Sequence, residues 1–212
     1  PDDPPEMAEA KVETAAKLEE GSEQMDRLAA TFPGKPTEVH DDERDFFEQD
    51  LRGHDFSGQD LSGKSFAKAN LGGAKFAGAT LAGAIFRETN LSKADLSGAN
   101  LNDARFREAA LLQADLRRAQ LDGAVFARCG LGAADFREAS LAGADLSESA
   151  CEGTLFAKAD LSGVCASKVT FRKADLTDAN LHGAKLVEAD FSWAQGVRAK
   201  FTEADLTKAV LT

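Results

Sequence analysis

Tyrosine is absent from this chain, tryptophan occurs once, methionine twice and cysteine three times. Aromatic content therefore rests on 14 phenylalanines. Cys129, Cys151 and Cys165 are odd in number and stand at no motif spacing, so neither a disulfide framework nor a zinc site is expected. No apolar run reaches the roughly 18 residues of a membrane span. No basic start followed by an apolar stretch reads as a signal peptide. Three unpaired thiols fit a reducing, cytoplasmic setting. Pro1 stands where an initiating methionine is usual, which suggests a trimmed chain. His40, His54 and His182 are scattered in sequence. Phosphate loops and nucleophile elbows are missing. These absences exclude most enzyme classes: no catalytic residue, metal or cofactor is expected.

Charge excludes a further class. The formal net charge is −11. Residues 1–44 hold 13 acids and 5 bases, and residues 45–212 hold 23 acids and 20 bases. The acidity thus sits in the N-terminal arm and the remainder is close to balanced. Neither part has the basic excess of a protein that binds nucleic acid directly. In the arm, Met7, Val12, Ala15, Leu18, Met25 and Leu28 lie roughly on one stripe of an Ala/Glu/Lys-rich segment. That spacing predicts a helix ending at Phe32-Pro33-Gly34, followed by a polar connector over 37–44.

From Phe46 to Leu211 a large apolar residue returns at every fifth position. Only Cys151, Ala166 and Gly196 break the residue type, and nothing breaks the phase. A helix repeats every 3.6 residues and a strand every 2, so a period of five belongs to neither. It belongs to a solenoid that turns a corner once per repeat. Two residues before each of these centres stands a small residue, mostly alanine, from Ala69 to Ala209. Each repeat therefore points one large and one small side chain inward. The run Phe46, Phe66, Phe86, Phe106 and Phe126 is spaced by 20, as are most members of the series Gly63, Gly83, Gly123, Gly143, Gly163 and Gly183. Twenty residues per coil at five per side predicts four sides, with that phenylalanine run as a core stack. About eight coils, spaced at roughly 4.8 Å, would make a rod roughly 40 Å long. Glycine two residues after a centre suits a type II turn. The column Glu48, Lys68, Glu88 and Glu108 is expected to use a turn that accepts side chains.

Units such as Ala94-Asp95-Leu96-Ser97-Gly98 and Ala174-Asp175-Leu176-Thr177-Asp178 resemble the pentapeptide-repeat family. The resemblance covers about residues 45–212 and implies an all-β solenoid, a right-handed quadrilateral β-helix, behind a helical arm at 1–44. It also implies a non-catalytic protein-interaction or scaffold module, part of a larger bacterial protein such as a secretion-system component. The alternative it offers is a mimic of duplex DNA that binds a type II topoisomerase such as gyrase and modulates quinolone sensitivity. A net of −3 over residues 45–212 is a poor copy of a polyanion.

Some positions depart from the repeat. Arg44, Gln49, His54, Gln59 and Lys64 occupy small inward positions of the first coil; burying all five would be costly, so they should face the N-terminal end or lie under the arm. Val164 and Val169 flank Ala166 as if to restore lost volume. Gly196 leaves a centre empty, to be filled by Trp193 or Val197 or by a partner. Phe47, Ile85, Leu112, Val125, Leu155, Trp193 and Val197 are apolar at outward phase and are the candidate interaction residues. A homodimer through the C-terminal coil is a further expectation. The best carboxylate candidate is the column Asp95, Asp115, Asp135, with arginines on the same side to offset it.

Overall fold

Twenty residues bring the chain back above itself. The computed structural model describes residues 45–212; the expected helical arm, its connector and Arg44 lie outside the described residues. The body is a right-handed quadrilateral β-helix. Each side contributes a parallel bridge to the coils before and after it, from Asp50↔Asn70 to Asp190↔Val210. The sides are numbered by their central residues. The first is centred on Phe46 and Phe66, the second on Leu51 and Leu71, the third on Phe56 and Phe76, and the fourth on Leu61 and Leu81.

Four of the five backbone N–H groups in a repeat find backbone carbonyls. Phe66 N donates to Ile85 O of the next coil at 2.7 Å, and Lys68 N to Arg87 O at 2.9 Å. Ile85 N donates back to Lys64 O at 2.9 Å, and Ala69 N closes the corner on Phe66 O at 3.0 Å. The fifth N–H, one residue past the centre, has no place in this ladder. Where an Asp or Asn stands before the centre, its side chain accepts from this N–H: Ser97 N donates to Asp95 at 3.0 Å, Arg117 N to Asp115 at 3.1 Å, Thr177 N to Asp175 at 2.9 Å. An Asp or Asn at that position therefore satisfies the backbone as well as facing water. Asp60 is held below the usual carboxylate range by the Ser62 hydroxyl at 2.7 Å, aided by the Ser62 N–H.

Inside the tube, the large residues of one side stack along the axis. Ring centroids along Phe46, Phe66, Phe86, Phe106 and Phe126 are 4.6, 5.1, 4.9 and 4.5 Å apart, with planes within 7° of parallel. The small column holds a few hydroxyls, and each is satisfied. Thr89, Ser149 and Thr154 donate to the carbonyls of Phe66, Phe126 and Leu131 in the preceding coil at 2.8, 2.6 and 2.7 Å. Val164, Ala166 and Val169 are all buried.

The corners correct one expectation. All 33 corner residues from Glu48 to Lys208 have positive φ, 12 of them glycine and 21 not. Non-glycine values run from 52° at Ala133 to 65° at Trp193, and glycine values from 63° to 69°. With the hydrogen bond across every turn but the one at Lys168, this is the type II signature. The charged corner residues thus adopt the same left-handed conformation as the glycines, and no second kind of turn accommodates them. The ladder on both sides of each corner overrides local preference. The conformational cost is of order 1 kcal/mol for a residue with a Cβ. Ala133→Gly should therefore stabilise the protein by about 0.5–1 kcal/mol, measured as a shift in the urea midpoint; a loss of stability would refute this account of the corners.

Gln49, His54, Gln59 and Lys64 are exposed. Lys64 pairs with Asp45 at 3.0 Å, and the His54 ring lies 4.5 Å from that of Phe56.

Candidate interaction surface

Outward side chains come from two positions beside each centre and from the corner, so every side presents three columns at β-sheet spacing. The candidate apolar residues are dispersed among them. Phe47 is 37% exposed, and the Lys68 ammonium sits 5.7 Å from its ring centroid. As an outward apolar residue of the first coil it is also the expected contact for the N-terminal arm, whose residues lie outside those described. Leu112, 52% exposed, lies across the second side, where its Cδ1 covers Gly132. Val125 and Leu155 are half-buried on the first and third sides. Ile85 must be removed from the set because it is only 4% exposed. It bridges the rungs of Ser65 and Arg105, and the column covers it from both directions.

Trp193 and Val197 differ from these. They are 70% and 59% exposed, one on each side of Gly196. Neither fills the vacant centre: a Cβ built on Gly196 would touch only the Ala199 methyl, at 3.8 Å. Val210 and Leu211 are also exposed, and Trp193 N donates to Thr212 O at 2.7 Å. The last coil therefore gathers four exposed apolar side chains. Sequence phase counts Leu211 as an inward centre, and Val210, outward by phase, was not among the candidates.

Asp95, Asp115 and Asp135 do stack on consecutive coils. Two of them are locked to arginines. Arg117 grips Asp115 through Nε and Nη2 at 2.9 and 2.6 Å, and Arg137 grips Asp135 at the same distances. Burial pushes the Asp115 carboxyl up, but the bonds from Arg117 outweigh it and leave its pKa lowered. A carboxylate held in its charged form is a poor proton donor at neutral pH. A shallow groove of about 460 Å³ beside this pair is lined by Ser97, Gly98, Arg117, Arg118, Arg137 and Glu138. Arg118 is occupied by Glu138 at 3.0 Å.

Cys129 and Cys151 are buried, Cys165 half-buried, and all three are free thiols. Burial pushes the Cys129 thiol up to about 12 and raises those of Cys151 and Cys165. Thiolate is the reactive form. Native protein should accordingly label at no more than one thiol, Cys165, with an alkylating reagent at neutral pH, and at all three in denaturant. Rapid native labelling of Cys151 would contradict the closed tube.

Among the described residues, no group of three or more His, Cys, Asp or Glu could hold a metal ion. No helix among them is long and apolar enough to cross a membrane. Charge is unevenly placed. The fourth side carries five acids, Asp60, Asp103, Asp122, Asp160 and Glu203, against one base, Lys200. The other three sides together carry 18 acids and 19 bases.

A family model for pentapeptide repeats, in eight copies, matches residues 65–103, 99–131, 134–172 and 174–212. No curated relative matches the chain. Among solved structures, a trypsin-treated variant of QnrB1, a plasmid-mediated fluoroquinolone resistance protein, is similar at 24% identity and a TM-score of 0.65, over 77% of this chain and 82% of that one. HetL, a pentapeptide repeat protein involved in heterocyst differentiation regulation from the cyanobacterium Nostoc sp. strain PCC 7120, is similar at 23% identity and a TM-score of 0.53, over 76% and 91%. At these identities the likeness is one of fold.

Proposed function

The chain belongs to the pentapeptide-repeat family, and from that premise we propose that it is a non-catalytic interaction module whose rigid sides hold a protein partner. It works in a reducing, cytoplasmic compartment, as its free thiols suggest, within a larger bacterial assembly such as a secretion system. It does not bind nucleic acid directly. The observation that carries this reading is the closed, filled tube: side chains not committed to the core or to the backbone project outward in ordered columns. Such a surface offers recognition without a cleft in which to enclose a substrate.

Its most exposed apolar cluster, Trp193, Val197, Val210 and Leu211, is the contact for a second copy of the chain. Aromatic anchors ringed by smaller apolar groups dominate most interfaces. Sedimentation velocity on the purified chain should show a dimer that weakens at least about tenfold on Trp193→Ala, while Leu112→Ala leaves it unchanged. A monomer at all concentrations would remove the self-association, and a Trp193→Ala chain that dimerises normally would remove this contact. Proteins retained by the immobilised chain, and lost when outward residues of one side are changed, test the broader reading. Equal retention by variants of all four sides would end it.

A second reading draws on the fold shared with QnrB1, a fluoroquinolone resistance protein. A rod of this width could imitate duplex DNA toward a type II topoisomerase. Charge weighs against it, because three of the four sides are balanced. Inhibition or drug protection of purified gyrase at low protein concentration would reverse this ranking.

A further inference from the structure

Two arginines on one rung of the first side stand apart from the rest. Eight arginines among the described residues each have an aspartate or glutamate oxygen within 4.0 Å. Arg105 and Arg107, which flank Phe106, make no ion pair and no side-chain hydrogen bond among the described residues. The carboxylates of the neighbouring corners are already engaged, Glu88 by Arg87 at 3.3 Å and Glu108 by Arg128 at 3.7 Å. Lysines without an ion pair, such as Lys75 and Lys93, are exposed, whereas Arg105 and Arg107 are half-buried. The columns account for this. Arg105 lies between Ile85 and Val125 of the adjoining coils, and Arg107 between Arg87 and Ala127. Ile85 and Ala127 are only 4% and 2% exposed. The arginine stems therefore lie among apolar neighbours, while their guanidinium heads give up hydration without gaining a counter-charge.

Three features specify the anion that would complete this rung. The two arginines are two residues apart, about 6.6 Å at the rise of a strand, which is also the interval between alternate side chains of an extended chain. The planar fork of a guanidinium matches a carboxylate through two parallel hydrogen bonds. The acidic corners Glu88 and Glu108 stand on either side of the pair, so a long polyanion such as duplex DNA meets repulsion where two carboxylates do not. On the next coil Val125 and Ala127 carry no charge, and they leave an apolar border beside the pair.

Resting on the interaction-module reading, we infer that this rung of the first side is the docking surface for an extended acidic segment of a protein partner. Carboxylates at positions i and i+2 of that segment each take one guanidinium, and charge complementarity fixes its register on the rod.

The test uses the full chain and a fluorescein-labelled eight-residue peptide that alternates Glu and Thr, with Gln replacing Glu in a comparison peptide. Fluorescence anisotropy at low ionic strength, where surface attraction is least screened, should show binding of the Glu peptide only. Arg105→Gln with Arg107→Gln should weaken it at least about tenfold. Arg117→Gln with Arg137→Gln removes the same charge from arginines gripped by their own aspartates, and should change it by less than about twofold. The first double variant should also keep the urea midpoint of the parent, since no partner within the chain is lost. Absence of binding, or equal loss from both arginine pairs, overturns the inference. So does a lowered midpoint, which would show that the chain itself, its acidic arm included, already satisfies the pair. A duplex oligonucleotide that binds and is lost with the same pair overturns the assignment to a protein. Failure here with proteins still retained through another side leaves the interaction-module reading in place; failure of both removes both.

Discussion

Phe106→Ala lowers the unfolding free energy by about 3–5 kcal/mol, among the largest effects expected of any truncation in this chain. Phe106 is fully buried, with parallel rings at 4.9 Å on one side and 4.5 Å on the other. The hole cannot close by collapse. Phe106 N is held by Val125 O at 2.7 Å, and Phe106 O accepts from both Ala109 N and the Cys129 thiol. The coil spacing that would have to shrink is fixed by hydrogen bonds on all four sides. A solenoid is also a chain of nearest-neighbour interfaces, so a weak central coil uncouples the halves. Urea unfolding of the variant should broaden, with a lower slope as well as a lower midpoint. Phe46→Ala, at a half-buried ring on the end of the same stack, should cost clearly less. The chain itself suggests the rescue. Where alanine stands at this level of the same side, at Ala166, valines 164 and 169 flank it. Adding Ala104→Val and Ala109→Val to Phe106→Ala should recover part of the loss. Equal costs at Phe46 and Phe106, or no recovery, would count against volume as the governing term.

How much of this was legible beforehand depends on which constraint a residue obeys. The Phe106 stack could be read directly, because a core position tolerates few residue types and recurs at a strict interval. The four sides were legible for the same reason, from glycines twenty apart. The corners at Glu48, Lys68 and Glu88 were not. A left-handed residue with a Cβ costs only about 1 kcal/mol, which the ladder on either side absorbs, so composition leaves no trace of it. Asp95 and Asp175 were legible as outward but not as acceptors for the fifth N–H; that role follows only once the ladder shows which donor is left over. Ile85 misled because phase distinguishes inward from outward and says nothing of cover by neighbours in the same column. The interaction surface was the least legible. Trp193 and Val197 could be picked out as apolar and outward, but nothing in the repeat demands a particular residue there.

Ala124→Asp should unfold the centre of the rod at neutral pH, whereas Ala124→Ser, a change of similar size, should be nearly neutral. Ala124 is fully buried in the small inward column, its carbonyl taken by Asp145 N at 2.9 Å and its N–H by Leu121 O at 3.0 Å. A hydroxyl there has a partner within reach. Thr89, Ser149 and Thr154 each donate to the central carbonyl 23 residues earlier, which for position 124 is that of Leu101. A carboxylate has none, since every nearby N–H is already engaged in the ladder. An unpaired buried charge costs several kcal/mol, enough to exceed the typical mutational range. Burial would raise the pKa of the introduced group in the folded state above its unfolded value near 3.9. Below that unfolded value both states are neutral and the cost is only that of size and polarity. As pH rises beyond it, the unfolded chain ionises freely while the folded chain does so only at its higher pKa, so the deficit grows. Thermal melts of Ala124→Asp should therefore lie nearest those of the parent at about pH 3 and fall away toward pH 7. A pH-independent deficit would mean that the carboxylate escapes to solvent, and a serine variant as damaged as the aspartate would mean that the small column rejects polarity of any kind.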